Sequence, residues 1–363
     1  MAVIRRRFSS VGGAELYLQR FLPFLSAAGV EVHLLTEAWE PLPEGIILRQ
    51  VPTSVSRGSR YTHFSEQVGR ILKAESFDSI FSLERTRQQH VFRAGDGVHA
   101  VSLERRRRFS PWWKRFFIGK SFFHRSILHL EKSTFDPANT RFVIVNSEMV
   151  RTEILQRFDF PAERIRIVRN GIDLEKLKGY SREKERGDLG LPQKDFVILF
   201  AGSGWERKGL RYLLDGFLKL YSRTKGAAIT PKLLVAGKGQ PLLQHEAIRW
   251  IGPVAEMGRM YATADLFALL PIYEPCANAC LEALALGIPV VTTPYNGAAE
   301  FIQPGLTGTI LDHPERATEV AQSLRFWMDS PAKRHESSSH DLSMERNFTE
   351  TFAILKEAAD CKL

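Results

Sequence analysis

The stretch DLFALLPIYEPCANACLEALALGIPVVTTP, residues 265–294, decides the fold class. Its two ends, DLFALLP (265–271) and IPVVTTP (288–294), are short, nearly continuous apolar runs, the pattern of strands buried on both faces. Between them ANACLEALALG (277–287) is rich in the helix formers Ala and Leu and stops at a glycine, a common helix terminator. Strand, helix and strand in so short a span predict a parallel crossover unit.

The same alternation extends in both directions. Toward the N-terminus of this half lie DFVILFAGS (195–203) as strand and glycine turn, GLRYLLDGFLKLY (209–221) as helix and PKLLVAGKG (231–239) as strand and turn. IRWIGPV (248–254) follows as a strand and EMGRMYATA (256–264) as a helix. The first half reads as helix at 15–28, strand at 30–36 and helix at 63–75, then strands at 77–83, 90–95, 141–147 and 164–173. Residues 174–193, LEKLKGYSREKERGDLGLPQ, carry charge, Gly and Pro without a sustained apolar pattern and are expected to be a linker. The expectation is therefore α/β, with two Rossmann-like domains facing across a cleft at 1–173 and 194–343. A last helix in 344–363 is expected to return to the first domain. Ligands of such sheets bind outside the carboxyl ends of the strands.

A length of 363 residues suits two domains with their own cores. No apolar run is long enough to span a bilayer, and the N-terminus has no signal-peptide pattern. The opening strand is short enough that the true start could lie upstream. Cys276, Cys280 and Cys361 make neither a disulfide framework nor a zinc site; the first two read as small buried apolar residues, and the compartment as cytoplasmic.

Four segments carry chemistry. Glu274 and Glu282 are separated by seven residues, one in a strand-end loop and one in the following helix. Two carboxylates so placed suit pairs of sugar or ribose hydroxyls, although Glu282 alone could be an ordinary solvated helix residue. Ala277 and the alternating alanines after it permit close approach of helix, sheet and ligand. In FAGSGWERKGL (200–210), Gly202 opens a turn and Arg207 and Lys208 stand at the mouth of a helix, where anions are favoured. SSVGGAEL (9–16) supplies Gly12 and Gly13, then Glu15 at a helix start, either facing a ligand or serving the helix dipole. FRAGDGVHA (92–100) sets Asp96 between two glycines, with His99 close by; a plain Asp-Gly turn is the alternative. No Asp-x-Asp cluster with metal-ligand spacing is present, so no metal and no cofactor are expected.

The 273–294 block resembles the EX7E motif of the family 4 glycosyltransferases, which have the GT-B fold, and the Arg-Lys-Gly turn and early Gly-Gly turn agree with it. The resemblance covers nearly the whole chain. It implies transfer of a hexose from a nucleotide sugar with retention of configuration. It places Glu274 on the donor sugar, Glu282 on the ribose, Arg207 and Lys208 on the diphosphate, and Gly12, Gly13, Gly202, Ala277 and Asn278 around the donor. It assigns Asp96 to the reacting sugars, with Glu15 and His99 toward the acceptor. The segment CAN (276–278), where relatives commonly have an aromatic-glycine pair, leaves the choice of sugar open. The layout is similar to the lipopolysaccharide-core glucosyltransferase branch, which implies UDP-glucose as donor substrate and a membrane-held glycolipid acceptor. A lipid, capsule or exopolysaccharide glycosyltransferase with another donor is the alternative.

The formal charge is +9, and residues 105–125 contribute eight cations and no acid. The stretch LERRRRFSPWWKRFFIGKSFF (103–123) gathers Arg105, Arg106, Arg107, Arg108, Trp112, Trp113, Lys114, Arg115 and Phe116. Ser110-Pro111 is a good helix start, and an uninterrupted helix from there sets most of the aromatics on one arc of about 140°. On the residues alone, three readings are open: packing on the domain, nucleic-acid binding by basic and aromatic side chains, or contact with anionic lipid. The family resemblance favours a peripheral position on the inner face of the cell membrane, with no nucleic acid as partner.

Overall fold

The computed structural model describes residues 1–8, 13–52, 58–330 and 341–361. The chain forms two units: Met1–Asn170 joined by Met344–Leu363, and Gly171–Ser343.

In the first unit the strands are β1 (Ala2–Ile4), β2 (Val32–Thr36), β3 (Ile46–Gln50), β4 (Ile80–Ser82), β5 (Gln89–Arg93), β6 (Thr140–Val145) and β7 (Ile165–Ile167). They lie parallel in the order β3-β2-β1-β4-β5-β6-β7. The helices are α1 (Gly13–Ala27), α2 (Arg60–Ala74), α3 (His99–Arg108), α4 (Trp112–Arg115), α5 (Phe122–Thr134) and α6 (Glu148–Arg157). Because β1 is paired with both β2 and β4, the order reverses at its two edges, and loops leaving β1 and β4 diverge to frame a crevice.

The second unit begins with α7 (Arg182–Asp188) and contains β8 (Phe196–Ala201), α8 (Leu210–Thr224), β9 (Pro231–Ala236), β10 (Ile248–Gly252), α9 (Met257–Thr263), β11 (Leu266–Ala268), α10 (Asn278–Ala285), β12 (Val290–Thr292), β13 (Gly308–Ile310) and α11 (Ala317–Asp329). Its parallel order is β10-β9-β8-β11-β12-β13, so β8 and β11 flank the reversal. The apolar run FVILFA of β8 is buried throughout, as a central strand covered on both faces requires. Gly216 lets α8 and α11 touch, since a Cβ there would fall 2.3 Å from Val320 Cγ1.

From the end of the second unit, α12 (Met344–Asp360) packs on the first. Phe348 lies among Tyr17, Phe21 and Phe24 of α1, and Asn347 Nδ2 donates to the Arg169 carbonyl at 2.6 Å.

Two expectations require correction. Residues 174–193 are not a solvated linker but belong to the second unit. Their charges are consumed in pairing: Arg186, fully buried, donates to Asp265 Oδ2 at 2.6 Å and to the carbonyls of Thr263, Gln193 and Asp195, while Arg259 holds Glu185 at 2.7 Å. Nor is 111–130 one helix. The α4 turn ends, Gly119 adopts φ +86°, and Ser121 starts α5 afresh by accepting from the His124 amide at 3.3 Å. Arg107 fixes the break by donating to the Ile118 carbonyl at 2.8 Å.

Candidate active site

In the second unit, β8 ends at Ala201 and the chain turns through Gly202 with φ +136°. The Lys208 side chain lies where a Cβ on Gly202 would be, with its Nζ 2.5 Å from that position. Gly209 then starts α8 at φ +71°, so close to the end of β11 that a Cβ would sit 1.7 Å from the Leu270 carbonyl oxygen. Both glycines hold the Arg207-Lys208 pair at the carboxyl edge of the sheet, at the β8/β11 reversal and the N-terminus of α8, where an anion is stabilised. Trp205, in the same loop, donates to the Gly202 carbonyl at 3.0 Å and packs on Trp250.

Glu274 leaves the β11 loop to meet this pair. Its Oε2 accepts from Arg207 at 2.5 Å and lies 4.0 Å from Lys208 Nζ. Its backbone pairs with Asn296, and its N–H donates to the Tyr295 carbonyl at 2.8 Å. Asn296 is 1% exposed and braces the whole edge. Its Oδ1 accepts from the amides of Ala277 and Ala298, both at 3.1 Å. Its Nδ2 donates to Thr292 Oγ1 at 3.0 Å and to Cys280 Sγ at 3.3 Å. Burial pushes that thiol up to about 12, so Cys280 is a neutral packing group, and Cys276 is buried as well.

Glu282, on α10, accepts from the Tyr261 hydroxyl at 2.7 Å. Burial, then the adjacent carboxylate, pushes the Tyr261 phenol well above its ordinary value, so it remains a donor that fixes the Glu282 rotamer. Ala277 caps α10 and Asn278 is its exposed first residue.

The first unit carries a separate pocket of about 370 Å³ at the strand ends beside β1 and β4. Glu15, Asp96 and His99 share its wall with Arg5, Arg6, Arg7, Glu84 and Arg85. Arg5 lies 2.8 Å from Glu15 and 3.4 Å from Glu84. Burial raises the Glu84 carboxyl, Arg5 and Arg6 oppose that rise, and Asp96 adds to it. Asp96 is exposed in its turn. His99 begins α3; burial, then Arg85 and His124, pull it down to about 4, which leaves a neutral imidazole with Nε2 3.0 Å from His124 Nδ1. The α3 N-terminus is held by Glu131, 1% exposed, which accepts from the amides of His99 and Ala100 and from Arg85. Gly13 is the first residue of α1, whereas Gly12 lies outside the described residues.

The basic aromatic segment is on the surface of the same unit. Trp112, Trp113, Phe116, Phe117 and Phe122 are 73%, 52%, 64%, 76% and 62% exposed. Lys114 lies 5.0 Å over the Trp113 ring, and Arg115 donates to the Ser110 carbonyl at 2.9 Å. Arg105–Arg108 form the last turn of α3, where cations favour the negative end of the helix dipole.

The structure thus brings Gly202, Arg207, Lys208 and Glu274 together, and gathers Glu15, Asp96 and His99 around one pocket. Sequence reasoning missed Tyr261 and Glu131, whose partners lie 21 and 32 residues away. It also missed Arg5–Arg7 and Glu84. The triple arginine after the first apolar run was visible, but its partners were not. Among the described residues there is no group of three or more His, Cys, Asp or Glu able to hold a metal ion, and no helix is long and apolar enough to cross a membrane.

Two family models match the chain, Glycosyltransferase Family 4 over residues 11–176 and Glycosyl transferases group 1 over residues 195–330. The lipopolysaccharide glucosyltransferase WaaG of Escherichia coli (strain K12) is 23% identical over 360 residues, covering 93% of each chain. The crystal structure of WaaG superimposes with a TM-score of 0.78 at 22% identity, covering 99% of this chain and 98% of that one. Anabaena Alr3699/HepE in complex with UDP-glucose superimposes with a TM-score of 0.72 at 18% identity, covering 98% and 99%. Two parallel sheets with this strand order and two matching family models give one conclusion: the chain belongs to glycosyltransferase family 4, has the GT-B fold, and is a nucleotide-sugar-dependent transferase.

Proposed function

We propose that the chain transfers glucose from UDP-glucose, with retention of configuration and without a metal ion, to a membrane-held glycolipid such as the lipopolysaccharide core. The observation that carries this reading is the cluster of Arg207, Lys208 and Glu274 at the β8/β11 reversal. Glu274 pairs with Arg207 at 2.5 Å and lies 4.0 Å from Lys208. A diphosphate carries more charge and more acceptor oxygens, so it displaces the carboxylate and frees Glu274 for the hydroxyls of the sugar. Glu282, held by Tyr261, takes the ribose, and Gly202, Ala277 and Asn278 line the donor. In the reaction the bond from sugar C1 to the phosphate oxygen breaks and a bond from C1 to the acceptor oxygen forms on the same face. The acceptor proton passes to the departing phosphate, whose charge Arg207 and Lys208 stabilise. Asp96, with Glu15 and His99, orients the acceptor in the first-unit pocket. The likeness to WaaG and to HepE in its UDP-glucose complex supports the choice of donor and acceptor.

On this reading the first unit binds acceptor and the second binds donor, and the protein works in the cytoplasm on the inner membrane face. The exposed aromatics of residues 112–122 enter the headgroup region while Arg105, Arg106 and Arg108 meet anionic lipid. The deciding experiment screens UDP- and GDP-sugars by calorimetry and then assays the bound donor on lipid-A-core acceptors. UDP-glucose binding that Glu282→Ala weakens at least tenfold, with transfer to the core acceptor, supports the proposal. Donor binding unchanged in Glu282→Ala sinks the ribose assignment. Sedimentation with anionic vesicles against RNA at matched salt tests the surface segment: tight RNA binding without vesicle binding refutes the membrane role.

A further inference from the structure

We infer that Phe123 is the platform on which the acceptor sugar lies, its ring taking the C–H face of a pyranose while carboxylates of the same pocket take the hydroxyls. The inference rests on the acceptor-binding reading above. Along α5, Phe123, Ile127, Leu130, Glu131 and Thr134 recur at helical spacing and form one stripe. The last four are buried, whereas Phe123, in the first turn, is 38% exposed. Phe123 and Ile127 both line the first-unit pocket. The stripe that packs α5 onto the domain therefore ends at the pocket wall in a half-exposed aromatic ring. Its neighbour Phe122 goes elsewhere, lying over Gly58, where a Cβ would fall 2.6 Å from Phe122 Cδ1.

The ring is held in place from three helices. It makes edge-to-face contacts with Tyr61 of α2, His99 of α3 and His124 of α5, at centroid distances of 5.5, 6.5 and 5.1 Å. His99 Nε2 lies 3.0 Å from His124 Nδ1, and Ser126 Oγ donates to the Gly58 carbonyl at 3.2 Å, which ties α5 to its neighbours. A surface fixed before the ligand arrives loses little freedom on binding. Tyr61, the other aromatic of the wall, already carries the Arg6 guanidinium 4.6 Å over its ring. Around Phe123 the pocket is polar: Glu15 and Glu84 pair with Arg5, and Asp96 is exposed in its turn. A pyranose matches this division, since its faces carry C–H groups and its rim carries hydroxyls. An alkyl chain does not, because it would bury those charged groups against hydrocarbon. The volume of about 370 Å³ lies in the range of small-ligand sites. By fixing which face of the acceptor lies on the wall, Phe123 fixes which hydroxyl is presented for transfer.

The test follows sugar protons by NMR as the full chain is added, with UDP in excess to keep sugars from the donor edge. The probes are delipidated core oligosaccharide, the methyl glycosides of glucose, galactose and mannose, and octyl glucoside below its micelle concentration. A sugar lying on a phenyl face has its ring C–H resonances shifted upfield, a signature that a merely structural phenylalanine does not produce. Phe123→Leu should abolish that shift and raise the Kd of the shifted sugar roughly fivefold. Phe123→Tyr should restore both, while UDP affinity and the remote variant Phe326→Leu on α11 match the parent. Saturating the aromatic protons of the parent should transfer to the same sugar protons, which keeps the inference testable if the leucine variant is poorly folded. It is overturned if no probe shows the upfield shift and transfer in the parent, or if the shift persists in Phe123→Leu. A shift confined to the octyl methylenes assigns the ring to hydrocarbon and overturns it as well. Shifted sugar protons on a protein that turns over no nucleotide sugar would support the platform and refute the transfer reaction. Turnover without any Phe123-dependent shift would do the reverse.

Discussion

Replacing Asn296 with alanine perturbs the proposed donor edge without removing any side chain assigned to the donor. The side chain is 1% exposed and makes four hydrogen bonds, two of them to the backbone amides of Ala277 and Ala298. Truncation leaves those two amides buried without their acceptor, at about 1–3 kcal/mol each. The Thr292 oxygen loses one donor but its O–H remains free to donate, and the thiol of Cys280 is a weak acceptor, so these two losses are small. Partial relaxation brings the expected destabilisation to about 2–4 kcal/mol, read as a lower urea midpoint by tryptophan fluorescence. Donor affinity should fall about tenfold, because the Asn296 side chain holds the Ala277 amide at the start of α10 and the Ala298 amide beyond it. Asn296→Asp retains acceptors for both amides and loses the donated bonds, so it should fall between the parent and the alanine variant. A midpoint shifted by less than about 0.5 kcal/mol, with unchanged UDP-glucose affinity, would refute the role of Asn296 as the brace.

Gly209→Ala places a Cβ against the Leu270 carbonyl in a left-handed backbone, and neither can yield without separating α8 from β11. It should cost more than about 3 kcal/mol, seen as loss of the second unit's melting transition in calorimetry; a normal transition would be inconsistent with this seating. The pH dependence of stability follows from His99, which is held down to about 4 by burial. Between pH 6.5 and 4 the unfolded chain binds the proton and the folded one does not, so stability falls as pH falls through that window. Replacing His99 with Gln should flatten the urea midpoint between pH 7 and 4.5 relative to the parent, and an identical slope would exclude His99 as a source.

How legible the site was depended on distance along the chain. Arg207, Lys208 and the Gly202 turn lie within one short motif, and Glu274 and Glu282 within another, so each group could be singled out locally. The contact between the two motifs, Arg207 with Glu274, spans 67 residues and follows from strand order. The arginines at 5–7 read only as the end of a strand, because Glu84 and Glu37 reach them from separate loops. Residues 174–193 were misread because charge density signals solvent until the partners are known; here Thr263, Asp265 and Arg259 take up the polar groups of Arg186 and Glu185. The aromatic segment was misread as one helix because periodicity carries no record of a left-handed glycine. Gly119 and the Ser121 cap break it in two.

By itself, the sequence determined the α/β class, since apolar period and glycine turns are properties of adjacent residues, and its motifs carried the resemblance to the family. Tertiary structure alone decided which charges are spent on each other. It left Glu274 lying across Arg207, Glu282 tied to Tyr261, and three arginines converging on Glu37. The physical reason is that an ion pair depends on separation in space, and folding of a parallel sheet brings together at its strand ends residues that the chain keeps far apart.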